Sequence, residues 1–229
     1  MKENEPLNQG YFYHIYNHGV GGRNLFFTAK NYEYFLQLYD KYISPIAETY
    51  SWVLMKNHFH FLVRIKEGVI YKYSNADRSS DAVRFDEEKW KTIDLSACAA
   101  PDSVYRREKQ KTPKPENHLS HFFNAYTKAY NKLYGTRGSL FERPFRRKQI
   151  TNEKYLSQVI LYIHNNPVHH GFCEHPSEYP WSSYLTCLSL KPTKLKRESV
   201  IGWFDDEANF RHMHKKKINV IEIEKWLDL

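Results

Sequence analysis

Cysteine is scarce in this chain of 229 residues. Cys98, Cys173 and Cys187 are odd in number and unpatterned, so no disulfide framework is implied. Long apolar runs are missing too. None approaches the roughly 20 residues needed to cross a bilayer, and Met1 to Gln9 is polar, without a signal-peptide pattern. A reducing cytoplasm is the expected compartment, and no membrane partner is expected. Nucleotide-binding fingerprints are also absent. His18-Gly19-Val20-Gly21-Gly22-Arg23 is neither a Walker A loop nor a dinucleotide motif. It reads first as a flexible turn, with Arg23 as a candidate phosphate contact. Acidic residues are in deficit, 26 against 34 Lys plus Arg, for a net charge of +8. That balance suits a polyanionic partner, although ribosomal, RNA-binding and membrane-surface proteins share it.

What the chain has in abundance is aromatic side chains: 18 Tyr, 14 Phe and 5 Trp. Basic residues interleaved with rings are what single-stranded nucleic acid requires, charge for its backbone and flat faces for its unstacked bases.

Along the chain, Tyr11 to Asn17 alternates as a first strand. Thr28 can cap a helix running to about Ile43, with Phe35, Leu36, Leu38, Tyr39 and Tyr42 on its buried side. Tyr50 to Ile65 reads as a hairpin turning at Lys56-Asn57. Residues 66–117 are charged and poor in large aliphatics. They read as a partly disordered insertion with short ordered pieces around Val83 to Phe85 and Trp90 to Leu95. The basic run from Arg106 to Lys114 is either a DNA contact or a solvated loop. Leu119, Phe122, Phe123, Tyr126, Tyr130 and Leu133 make one apolar stripe on a helix over 118–134 that stops at Gly135. A strand follows near Phe145 to Ile150. The order β-α-β-β-α-β predicts an α+β, ferredoxin-like domain, with the second helix on the sheet.

Glu153 to His164 reads as a further amphipathic helix, with Leu156, Val159, Ile160 and Ile163 inward, stopped by Asn165-Asn166-Pro167. His164, His169, His170, Cys173 and His175 crowd together, but their spacings fit no standard zinc pattern and read as a His-rich surface loop. Residues 1–187 make the expected main domain. Residues 188–229 make a basic linker and an extension of one or two helices around Trp203, Phe204, Phe210, Ile221 and Trp226.

Two patterns carry chemistry. In the hairpin's second strand, His58 and His60 share one face while Phe59 and Phe61 take the other. Two imidazoles so placed can share a metal ion, or simply lie on a solvated face. Tyr126, on its helical stripe, reads from periodicity as a core tyrosine.

His58-Phe59-His60 resembles the His-hydrophobe-His signature of HUH single-tyrosine transposases, and the chain is most similar to their REP-associated tyrosine transposase branch. Tyr13-His14-Ile15-Tyr16-Asn17-His18-Gly19 resembles the family's opening strand, and Leu54 to Val63 its metal-binding hairpin. Tyr126-Thr127, Asn131, Gly138-Ser139-Leu140-Phe141 and Arg143 to Lys148 are similar to its tyrosine helix and basic strand. Tyr162-Ile163-His164-Asn165-Asn166-Pro167-Val168 and Tyr179-Pro180-Trp181-Ser182-Ser183-Tyr184 complete a collinear series over residues 11–187, apart from the insertion.

The resemblance implies a transposase that nicks and rejoins single-stranded or hairpin DNA at palindromic repeat ends. Tyr126 would be the nucleophile forming a 5′-phosphotyrosine link, meeting His58 and His60 across one sheet face. A divalent metal, Mg²⁺ or Mn²⁺, would sit on His58, His60 and a third ligand. Relatives supply that ligand as Gln or Asn one turn beyond the tyrosine. Tyr130 stands there in this chain, so Asn131 is the candidate. Arg137, Arg143, Arg146, Arg147 and Lys148 would hold phosphates, and a homodimer is open, because some relatives pair by exchanging the tyrosine helix. Three other readings stay open: a descendant that binds structured DNA or RNA without cutting, a hydrolytic metal-dependent nuclease, and a zinc-stabilised interaction protein.

Overall fold

The computed structural model describes residues 5–73, 90–94, 111–152, 154–216 and 218–227. Its organising element is the hairpin of β2 (Ala47–Met55) and β3 (His58–Ile65), in which Met55 pairs with His58 across the two-residue turn. β1 (Phe12–His18) lies antiparallel to β3, with Tyr16 opposite His60 and His18 opposite His58. β6 (Arg146–Ile150) pairs with the free side of β1. The sheet order β2-β3-β1-β6 puts the first and third strands at the centre, as the ferredoxin-like arrangement requires. Within the predicted insertion, β4 (Val69–Tyr73) and β5 (Trp90–Asp94) form a separate two-stranded ribbon. The expected piece around Val83 to Phe85 lies outside the described residues.

Strand parity divides the interior in two. Phe59, Phe61 and Val63 face α1 (Ala29–Tyr42) and α2 (Pro115–Tyr134) and join Phe35, Phe122, Phe123 and Tyr126 in an aromatic core. Phe35 is its hub: it lies edge-on to Tyr126 at 4.9 Å and tilted against Phe122 at 4.7 Å. At the start of α1 the Asn31 side chain accepts the backbone N–H groups of Phe27 and Thr28, which the helix itself leaves without partners. α2 ends where Gly135 turns left-handed at φ 64°, a conformation open to a residue without Cβ.

The other face of the sheet meets α3 (Lys154–His169). Leu62, Val53 and Met55 pack there with Leu156, Val159, Ile160 and Ile163. The helix does not stop at Asn165-Asn166-Pro167 but runs through Pro167 to His169. Pro167 falls in the last turn, so its missing N–H forfeits a single intrahelical bond, and the chain closes with Phe172 N–H donating to the Pro167 carbonyl. One consequence is that residues 162 and 166 share a helical face.

The segment from Tyr179 to Tyr184 runs along the edge of β2. There Leu54 N–H donates to the Trp181 carbonyl, and Ser183 Oγ accepts the Trp52 N–H at 2.8 Å. It leads into α4 (Tyr184–Cys187). The C-terminal extension forms α5 (Arg197–Gly202), α6 (Glu207–Lys215) and α7 (Val220–Leu227), more helix than the sequence suggested. Val200, Phe204, Phe210 and Leu227 are buried in the α3 cluster. Among the described residues, no helix is long and apolar enough to cross a membrane.

Candidate active site on the α3 face of the sheet

Because His14, Tyr16 and His18 alternate on β1 in register with Leu62, His60 and His58 on β3, one sheet face carries a block of imidazoles. His14 and His60 stack nearly parallel with ring centroids 5.1 Å apart, and His18 stacks on His58 at 4.9 Å. Tyr162 of α3 comes down on this block edge-on to His60 at 5.5 Å. His18, His58, His60 and Tyr162, together with His170, Arg146 and Glu224, border a pocket of about 630 Å³.

Hydrogen bonds orient the pair. His60 Nδ1 lies 2.9 Å from His14 Nε2, which leaves Nε2 as His60's remaining ring nitrogen. His58 Nδ1 lies 2.8 Å from Asn57 Oδ1, and its Nε2 lies 3.0 Å from Asn166 Oδ1. Burial lowers the pKa of His58 to about 4 and holds that of His60 well below the ordinary value, and neighbouring imidazoles add to the effect. Both rings are therefore neutral at physiological pH, the form that ligates metals. Two neutral imidazoles and an amide oxygen fit a divalent ion that takes mixed nitrogen and oxygen ligands. Among the described residues, no three His, Cys, Asp or Glu side chains are arranged to hold a metal.

Tyr126 is not part of this pocket. It lies on the opposite face of the sheet, buried against Phe35, and its hydroxyl donates to the Leu25 carbonyl at 2.7 Å. The expectation that it would meet His58 and His60 across one face fails because α1 and α2 both cover the Phe59 side, whereas α3 covers the His side. Burial, then the neighbouring phenols, push its pKa up, as in a core tyrosine. Asn131 is separated from the His pair in the same way. Its amide donates to the Gly138 carbonyl and its Oδ1 accepts from Thr136, tying off the end of α2.

The basic candidates divide between faces. On β6, Arg146 and Lys148 stand opposite Tyr16 and His14 and so belong to the His face. Arg147 points the other way, half-buried, with its guanidinium over the Phe145 ring at 4.9 Å. Arg23, Arg137 and Arg143 are exposed on loops. The His-rich segment is not simply a surface loop. His164 is fully buried, its Nδ1 2.9 Å from His214 Nε2 and its Nε2 2.8 Å from Ser183 Oγ, while His170 stands edge-on to His58 at 5.2 Å.

The residues beside the His pair that sequence reasoning passed over are Tyr162 and Asn166. Their signal was present as the Tyr-x-x-x-Asn spacing inside Tyr162-Ile163-His164-Asn165-Asn166-Pro167-Val168, which puts both on one helical face. It was hidden by the expectation that the helix ends before Asn166.

No protein-family model and no curated protein matches the chain. A solved structure described as a REP-associated tyrosine transposase bound to a REP hairpin is similar to it over 84% of this chain and 88% of that one, with a TM-score of 0.53 and 15% sequence identity. This is a likeness of fold. The chain has the α+β architecture of that transposase, in agreement with the branch that its motif series resembles.

Proposed function

We propose that this protein is a DNA strand-transfer enzyme of the single-tyrosine type. Tyr162 is its nucleophile, and His58, His60 and Asn166 hold a divalent metal, Mg²⁺ or Mn²⁺. The observation that carries this reading is that Tyr162 and the two neutral imidazoles border one pocket, while Asn166 Oδ1 lies 3.0 Å from His58 Nε2. The metal, when bound, would supply positive charge to polarise a scissile phosphate.

The rest of the chemistry falls to the chain's own side chains. Tyr162 Oη attacks the phosphorus in line. The bond from phosphorus to the 3′-oxygen breaks, that oxygen leaves as a hydroxyl, and a 5′-phosphotyrosine link remains. Attack by another 3′-hydroxyl reverses the step and rejoins a strand, so the covalent bond conserves the phosphodiester and no nucleotide cofactor is required. Arg146 and Lys148, on the same sheet face, hold backbone phosphates, and Arg23, Arg137 and Arg143 are exposed for contacts elsewhere on the DNA. The substrate is single-stranded or hairpin DNA. The +8 charge and the hairpin carried by the similar solved structure support that choice.

The test is a labelled single-stranded hairpin from DNA flanking the gene, incubated with Mn²⁺. A denaturation-resistant, protease-sensitive adduct is expected that vanishes in Tyr162→Phe and persists in Tyr126→Phe. The reverse pattern would return the nucleophile to Tyr126. Cutting without an adduct would make the protein a hydrolytic nuclease, and tight binding without cutting a DNA-binding descendant.

A further inference from the structure

The C-terminal extension carries an acidic group into the pocket. α7 is seated on α3 by its apolar side: Trp226 stacks on Tyr155 at 4.2 Å with the planes 8° apart, and Leu227 is 1% exposed. With α7 docked in this way, Glu224 borders the same pocket as Tyr162, and its carboxylate is near enough to the phenol to act on it. The Asn166 amide also acts on the phenol from one helical turn away. With Oδ1 directed at His58, the amide end left for Tyr162 is Nδ2–H, a donor to the phenolic oxygen.

We propose that Glu224 is the general base of the strand-transfer reaction, an inference that rests on the functional reading above. A phenol is a poor nucleophile until it loses its proton, and Glu224 is the carboxylate of α7 that borders the pocket with Tyr162. As Tyr162 Oη bonds to phosphorus, its proton passes to the Glu224 carboxylate across the pocket, and the departing 3′-oxygen takes a proton from solvent. On reversal, the attacking 3′-hydroxyl gives up its proton to solvent and the leaving phenolate recovers one from Glu224. Asn166 donates to the oxygen throughout, steadying the charge as it develops. His58 and His60 are unsuited to this task because their ring nitrogens are occupied in holding Asn57, His14 and the shared cation position. The residue that activates the nucleophile thus comes from outside the six-element domain, on a helix to which the sequence alone assigned no role.

The experiment is single-turnover adduct formation on the labelled hairpin with Mn²⁺, over a range of DNA concentrations, for wild type, Glu224→Gln, Glu224→Asp and Glu224→Ala. Glu224→Gln is expected to lower the maximal rate about 100-fold while the half-saturating DNA concentration and Trp226 fluorescence stay unchanged. Glu224→Asp should recover part of the rate, and added formate should restore activity to Glu224→Ala. A Tyr162-dependent adduct whose rate is unchanged in Glu224→Gln overturns the role. A faster rate in Glu224→Ala also overturns it, because the carboxylate would then be excluding the phosphate. Wild-type protein that forms no Tyr162-dependent adduct overturns the functional reading, and this inference with it.

Discussion

The two faces of the central sheet are made by the same strands and do opposite things. On one, Phe59 and Phe61 close against Phe35, Phe122 and Tyr126, and the only polar atom of Tyr126 is consumed by the Leu25 carbonyl. On the other, His58 and His60 stand one residue out of phase with those rings and border an open pocket beneath Tyr162. Both faces present a tyrosine on a helix laid over β3. What separates a phenol sealed in the core from one that borders a pocket is the company the strand provides, rings on one side and imidazoles on the other.

The comparison can be broken most severely on the dry face. Phe35→Ala removes the hub of the aromatic core and is expected to cost about 3–5 kcal/mol of stability, read as a lowered denaturant midpoint, with Mn²⁺ affinity unchanged in protein that still folds. Tyr126→Phe, which loses one buried hydrogen bond, should cost only about 1 kcal/mol.

A second test concerns pH and the α3 side. His214, buried between His164 and Phe210 with His175 nearby, has its pKa lowered to about 4 by desolvation, against a donated bond to the Phe210 carbonyl that raises it. In the unfolded chain it protonates from about 6.5, so the native state holds fewer protons as pH falls through that window. Stability is full above pH 6.5 and declines by about 3 kcal/mol toward pH 4. His164, lowered in the same direction, adds to the decline. Denaturant melts at pH 7.5 and 5 should differ by less in His214→Gln than in wild type. An undiminished difference would mean that the acid sensitivity resides elsewhere.

The smallest effect sharpens the wet face. His14 touches no substrate in this scheme but orients His60 through a 2.9 Å ring contact. His14→Phe keeps the ring and removes that partner. A loss of roughly 10- to 100-fold in Mn²⁺ affinity is expected, measured by calorimetry, with the thermal midpoint little changed. Unaltered affinity would remove His14 from the metal site.

Much of this arrangement was legible beforehand. The two-residue turn at Lys56-Asn57, the alternation of His58 and His60 with Phe59 and Phe61, the apolar stripe of α2 and its end at Gly135 are all local periodicities, and local periodicity follows from the backbone geometry of strands and helices. The order of these elements also determined the sheet, since the ferredoxin-like topology leaves few ways to connect them. What the sequence by itself could not determine was which tyrosine meets the histidines. Strand parity says which side chains share a face, but not which helix covers that face. Tyr126 and Tyr162 both lie on amphipathic helices, and only the crossing of α3 onto the His side assigns the pocket to Tyr162. Pro167 compounded the difficulty, because proline ends most helices but is tolerated in a final turn, and that extra turn is what carries Asn166 to His58. Glu224 was least visible of all, since its place in the pocket depends on α7 docking against a helix some sixty residues earlier, a contact set by tertiary burial of Trp226 and Leu227 and by no pattern within the segment itself.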